Sequence, residues 1–458
     1  MAIVSIVAVC ITLTVMMRLC SVLARKKLVS AEGARKLVHV GMGSICLSFP
    51  WLFDSMQPVI LLAALAVIGI ILVRITGLRN QLGTALFSVK RLSIGELVFP
   101  IAVAWLFAMY KSNSHASAVY YTIPLLLLTL ADTVGAMAGT KFGKLIYKTA
   151  SAQKSVEGSV AFFVTAYACT FIPLAIFTNQ SLIHIALISL ILTLFITAVE
   201  GISGMGMDNL LIPIGSYFLL DYYSDIEPRW LFLRVLLIVA ILLLMIWTRK
   251  KHELNGGAIL TACLLCFISC MLGGIWCLVA CLFILLRHIW AVRNIPSKQR
   301  HAHSLDTIIS ISVPAMTWLT LGSTHTISNH LGSVFFIISL AITISMLHAG
   351  THKFIFAGKY LNNQDHPLVL TRIPLNSLFK STALGAILIA FNFPLIPLTE
   401  FSFLSIASLF LSGICAAVFY RLRSHGVPIL NDWITLCALT GISTTIIYYS
   451  HAHYYSNI

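Results

Sequence analysis

Apolar stretches of 15 to 22 residues, bounded by short polar loops, recur from one end of this 458-residue chain to the other. In a bilayer such stretches must be helices, because only a helix satisfies its own backbone groups without water. Composition agrees: 59% of residues are hydrophobic and 10% charged, too little charge to cover a soluble chain of this length. The predicted spans lie near 2–23, 38–53, 57–73, 93–110, 117–136, 157–177, 182–199 and 209–221. A second set follows near 229–247, 256–271, 273–290, 305–321, 330–348, 379–397, 401–419 and 432–450. The expected fold class is all-α: a polytopic membrane protein of about sixteen transmembrane helices in two tandem eight-helix halves, 1–225 and 229–458.

The formal charge of +15 follows topology and not a nucleic-acid patch, so no nucleic acid polymer is expected as a partner. Threading the chain through these spans puts 26 of its 30 Lys and Arg on one side. By the positive-inside rule that side is cytoplasmic, with both termini outside. The first span lacks a basic n-region and its basic cluster follows it, so it reads as a retained helix and not a signal peptide. The expected location is a plasma or inner membrane, or the endoplasmic reticulum in a eukaryote. All eleven cysteines fall in apolar segments, where they read as small packing residues of helices.

An acid in such a segment requires a reason. Asp132 follows Leu125-Leu126-Leu127-Leu128-Thr129-Leu130-Ala131. A central Asp costs about 3 kcal/mol on insertion and each Leu returns about 0.5, so the helix inserts and the acid is available for work. Asp132 opens a run ending at Lys144, with Gly135, Gly139 and Gly143 spaced by four. That spacing bares one helix face, for close packing of another helix or for approach of a ligand. Lys141, Lys144, Lys148 and Lys154 follow, and then Ser155, an expected N-cap whose helix start offers free N–H groups. The loop from Glu200 to Asn209 holds two acids, three glycines and no basic residue. Asp132, Asp208 and Asn209 are hard oxygen ligands suited to Mg²⁺, and lysines with free N–H groups suit phosphates. Together they describe a nucleotide site.

These residues also resemble a known family. Arg35-Lys36-Leu37-Val38-His39, the Asp132–Lys144 run, Lys154-Ser155-Val156-Glu157-Gly158-Ser159-Val160-Ala161, Asp208-Asn209 and Ser93-Ile94-Gly95-Glu96-Leu97 are similar to the polyprenol kinases, which include dolichol and phytol kinase. The resemblance covers about residues 20–225. It implies CTP, UTP or another nucleoside triphosphate as phosphate donor, Mg²⁺, and a prenyl alcohol as acceptor at the membrane lipid. It further implies Asp132 and Asp208 as metal ligands, and Lys154 with Lys144 as neutralisers of charge on the transferred group. Glu157 or Glu200 would ligate metal or accept the alcohol proton. Thr133, Gly139, Lys141, Gly143, Ser155, Gly158 and Asn209 would line the nucleotide, with Arg35 and Lys36 at the rim of the second span near the donor or headgroup. His39 reads as a structural hydrogen bonder or a proton acceptor. The cytidylyltransferases of the CDP-diacylglycerol synthase type share this pattern but carry basic residues where Glu200–Asn209 has none, which favours a kinase. A transporter or scaffold on the same fold is the non-enzymatic alternative, and pairing of two copies as a homodimer stays open.

The second half reads as a repeat that has lost its chemistry. Thr149–Ala161 is echoed by Thr371–Ala383, and Asp208-Asn209 by Asn431-Asp432. Asn255–Ala258, Pro367–Thr371 and Leu430–Asp432 resemble the related integral-membrane family that includes phytyl-phosphate kinases. His348-Ala349 stands where the first half has Asp132-Thr133, and Phe379-Lys380 where it has Glu157-Gly158.

Overall fold

The structure is a computed structural model that describes residues 2–75, 94–112, 117–148, 153–248, 254–292, 305–360, 375–424 and 429–456. Ser93, residues 149–152 and residues 361–374, which include Pro367–Thr371 and the start of the internal echo, lie outside the described residues. Among the described residues the secondary structure is helical apart from one two-stranded ribbon. Each predicted span overlaps a helix, but 256–271 and 273–290 share one helix and 379–397 runs past a helix that ends at Ala390. Among the described residues nine helices are long and apolar enough to cross a membrane, fewer than the sixteen spans expected. Several of the others are shorter or carry more polar residues, so length and hydropathy alone do not qualify them. The chain divides into two compact units, Met1–Ala240 and Ile241–Ile458.

The first unit begins with α1 (Ala2–Arg25), α2 (Ala31–Leu47), the short α3 (Phe49–Leu52), α4 (Gln57–Ile75) and α5 (Gly95–Ser112). One long helix follows in three parts: α6 (Val119–Leu126), a π turn (Leu127–Ala131) and α7 (Asp132–Phe142). Strands β1 (Ile146–Lys148) and β2 (Gln153–Ser155) form an antiparallel ribbon with Tyr147 opposite Lys154. Then come α8 (Val156–Phe177), α9 (Leu182–Ile202), α10 (Asp208–Tyr223) and the first part of α11 (Pro228–Thr248), which runs past the unit's last residue, Ala240. On α1, Ile3, Val7, Ile11, Val15, Leu19 and Val22 are exposed at three- and four-residue spacing, the stripe that lipid would cover.

An aromatic core fixes one end of this unit. Phe49, Phe53, Phe107 and Tyr121 are fully buried with Leu106, Leu125 and Leu128. Phe107 meets Tyr121 edge-on at 5.6 Å, and the Tyr121 hydroxyl donates to the Cys46 carbonyl at 2.8 Å. Glycines set the close approaches elsewhere. A Cβ on Gly43 would fall inside the Thr129 side chain, so only glycine lets α2 meet the π turn. A Cβ on Gly158 would lie 3.0 Å from both the Gly135 carbonyl oxygen and Gly139 Cα, so α7 and α8 touch backbone to backbone.

The second unit contains α12 (Gly256–Val292), α13 (Leu305–Ser323), α14 (Asn329–Tyr360), α15 (Leu375–Ala390), α16 (Leu398–Ser424) and α17 (Ile429–Ser456). Gly274 breaks α12 at φ 79, two residues past the boundary expected between spans 256–271 and 273–290. α14 is central: Val334, Phe335, Ile337, Ile338, Ala341 and Ile342 are fully buried. Small hydroxyls bridge its neighbours, Ser412 donating to Ser345 at 2.6 Å and Thr343 meeting Thr440 at 3.2 Å. The side chains of His348, His352 and Asp432 lie outside the described ones.

Candidate active site

Helix ends bring a charged cluster together inside the first unit. α2 starts at Ala31, seven residues before the predicted span, with Ser30 accepting from Gly33 N–H as its N-cap. Lys36 and His39 are therefore well inside the helix and buried, not at its rim. Lys36 Nζ donates to Asp132 Oδ2 at 2.6 Å, with side chains only 6% and 12% exposed. A lysine and an acid that would each be costly alone in an apolar bundle offset one another.

The π turn prepares this pair. Asp132 N–H reaches back five residues to the Leu127 carbonyl and not four to that of Leu128. The Leu128 carbonyl is instead met by His39 Nε2 at 2.9 Å. A carbonyl only accepts, so Nε2 carries the proton of this hydrogen bond. The same ring nitrogen is 3.6 Å from Asp132 Oδ2, and the ring packs edge-on against Phe99 at 5.2 Å. His39 thus has the structural hydrogen bond expected of it.

A second pair forms opposite. Lys154 Nζ donates to Glu200 Oε1 at 2.6 Å and to the Glu200 backbone carbonyl. This carbonyl belongs to the last turn of α9, where a cation also meets the negative end of the helix dipole. Burial alone would lower the Lys154 pKa, but the Glu200 and Asp208 carboxylates outweigh it and hold the pKa above its ordinary value. Asp208 begins α10 and accepts from Asn209 N–H at 3.1 Å. Its carboxylate lies within electrostatic reach of Asp132, Lys154 and Lys36. The loop before it turns through Met205 (φ 54) and Gly206 (φ 87), and the Met205 carbonyl accepts from Ile94 N–H at 2.9 Å. The Asn209 amide donates to the Gly95 carbonyl at 2.9 Å, tying α10 to α5.

The structure thus gathers Lys36, Asp132, Lys154 and Asp208, with Thr133 beside Asp132, and adds Glu200 and His39. Other expected residues are used differently. Ser155 caps α8 by accepting from Gly158 N–H at 3.1 Å, as predicted. Gly139, Gly143 and Gly158 face protein, where α7 meets the start of α8. Glu157 accepts from Leu145 N–H at 3.2 Å and braces the ribbon. Lys141 and Lys144 are exposed, Lys141 over the Phe142 ring. Arg35 is half-buried on α2 next to Lys36.

Among the described residues no three His, Cys, Asp or Glu groups converge as a ready metal cage. The cluster nevertheless fits a magnesium ion carried by phosphates, which needs only one or two carboxylates from protein. Asp132 Oδ1 and Asp208 Oδ2 have no hydrogen bond among the described residues. Thr133 Oγ1 is a buried hydroxyl without a partner among them. Counting Asp132, Asp208 and Glu200 against Lys36 and Lys154 leaves one uncompensated negative charge, which suits a cation.

Fold and site together define a helical integral-membrane protein with a buried acid–lysine cluster at one end of its first unit. The chain is 25% identical over 194 residues to phytol kinase from Synechocystis sp., a match covering 42% of this chain and 80% of that protein. No protein-family model and no solved structure matches the chain.

Proposed function

We propose that this protein is a lipid-alcohol kinase, moving the γ-phosphoryl group of CTP, or another nucleoside triphosphate, to a prenol hydroxyl at the cytoplasmic face. The observation that carries this reading is the buried Lys36–Asp132 pair, with Asp208 and Lys154 alongside, in a bundle otherwise apolar. Similarity to phytol kinase supports the prenol as acceptor.

Phosphoryl transfer is mostly positioning and charge neutralisation. Asp132 and Asp208 would hold Mg²⁺, which when bound neutralises phosphate charge. Lys154, bonded to Glu200 in this structure, would turn its ammonium toward a phosphate oxygen of the bound nucleotide. Lys36 fixes the Asp132 carboxylate in place through its 2.6 Å contact.

The test is purified protein in detergent with CTP labelled at the γ- or the α-phosphate, and phytol, longer prenols and phosphatidic acid as acceptors. Label from the γ-position on a prenol is expected. Label from the α-position on lipid would make the protein a cytidylyltransferase, and no label would remove the enzymatic reading. Asp132→Asn and Asp208→Asn should each lower turnover by about 100-fold or more, as loss of a preorganised charge does.

A further inference from the structure

The first unit holds two glutamates near the cluster, and the structure treats them differently. Glu157 is at the surface, its carboxylate engaged by the Leu145 N–H. Glu200 ends α9 inside the cluster, with its side chain 15% exposed. One oxygen, Oε1, binds Lys154, and Oε2 has no hydrogen bond among the described residues. The groups facing it are Lys154 and Tyr147 from the ribbon, Asp132 from the π-turn helix and Asp208 from α10.

Resting on the kinase reading, we infer that Glu200 accepts the proton of the acceptor alcohol, and that Lys154 holds it ionised until phosphate arrives. Lys154 is the only cation bonded to Glu200 among the described residues, and Asp132 and Asp208 add negative charge around it. When the Lys154 ammonium turns toward a phosphate oxygen, Glu200 loses its counter-ion. A carboxylate that has lost its ammonium partner is a stronger base than one still paired with it. The base is thus armed by occupancy of the nucleotide site. In the transfer, the alcohol oxygen bonds to the γ-phosphorus and the bond from that phosphorus to the β–γ bridging oxygen breaks. Nucleoside diphosphate leaves with that electron pair, and the alcohol proton passes to Glu200 Oε2 and then to water.

The experiment measures kcat and KM for Mg·CTP with phytol, from about pH 5 to 9, in wild type, Glu200→Gln, Glu200→Asp and Glu157→Gln, together with CTP binding. Wild-type kcat should fall toward acid pH as the base protonates. Glu200→Gln keeps an acceptor for Lys154, so CTP binding should persist while kcat drops about 100-fold and the acid limb vanishes. Glu200→Asp should retain the acid limb at reduced kcat. A purely structural Glu200 would instead change KM and leave the acid limb in place, which overturns the inference. Disappearance of that limb in Glu157→Gln overturns it as well. Should Glu200→Gln fail to bind CTP, Glu200→Asp decides: a lost acid limb refutes the role and a kept one supports it. The kinase reading is judged separately, on whether wild type places γ-label on phytol at all.

Discussion

At the scale of single residues, the buried Lys36–Asp132 pair has consequences on both sides of a mutation. Lys36→Met strands a carboxylate in an apolar bundle and should cost about 3–5 kcal/mol, whereas replacing both partners, Lys36→Met with Asp132→Leu, should recover most of that loss. Thermal unfolding in detergent measures both; equal destabilisation by single and double variants would show that the pair contributes nothing as a pair. Lys154 makes a prediction in pH. Its pKa is raised on folding, so its stabilisation is fully present below the ordinary lysine value and is lost as pH climbs through the higher folded value. Wild-type stability should therefore hold its Lys154 contribution from neutral pH to about pH 10, then lose it above. Lys154→Met should be less stable throughout the lower range, and the difference should close at alkaline pH. A constant difference across the range would contradict the assignment of the shift to folding.

At the scale of elements, α7 and α8 meet through glycine, and this decides what the spacing of Gly135, Gly139 and Gly143 is for. Gly158→Ala pushes a methyl to 3.0 Å from the Gly135 carbonyl oxygen and Gly139 Cα, both backbone atoms that cannot swing aside. It should destabilise by about 1–3 kcal/mol, seen as a lower unfolding temperature even without nucleotide. Were the glycine face a ligand cradle, that temperature would not move and only KM would rise. The sequence made Asp132, Lys154 and Asp208 legible because ionisable groups are rare in apolar segments, and Ser155 because an N-cap has a local signature. It left Lys36 at a helix rim and Glu200 undecided against Glu157, since their bonded partners in the fold lie 96 and 46 residues away. The ribbon escaped notice because two three-residue strands in a polar loop show no hydrophobic period. The π turn has no residue signature of its own.

At the scale of the whole molecule, the two units can be compared one at a time. In each, the fifth expected span is the most buried of the helices long and apolar enough to cross a membrane: Val119–Phe142 in the first, Asn329–Leu347 in the second. The tandem-repeat reading itself is tested by superposing the helices of 117–221 on those of 330–450 in order. On the proposed repeat, His348 and Phe379 stand opposite Asp132 and Glu157, and the second half would lack those two acids for a hard cation. Asp432→Ala should then leave turnover within about twofold of wild type, while the same change at Asp208 removes it; equal losses would mean both halves carry chemistry. Orientation is tested at Lys144, which is exposed. Lys144→Cys, in a variant without the eleven native cysteines, should react with an impermeant maleimide only from the cytoplasmic side. Labelling from outside would invert the topology and move the nucleotide site away from cellular CTP. The π turn, finally, bears on descent. It is where a helix absorbs one residue more than its flanks can use, and here it leaves the Leu128 carbonyl to His39. Deleting one residue of Leu127–Ala131 would return Asp132 N–H to a partner four residues back and leave the imidazole without its acceptor. The extra residue and the histidine should therefore be inherited together, and lineages that drop one should drop the other.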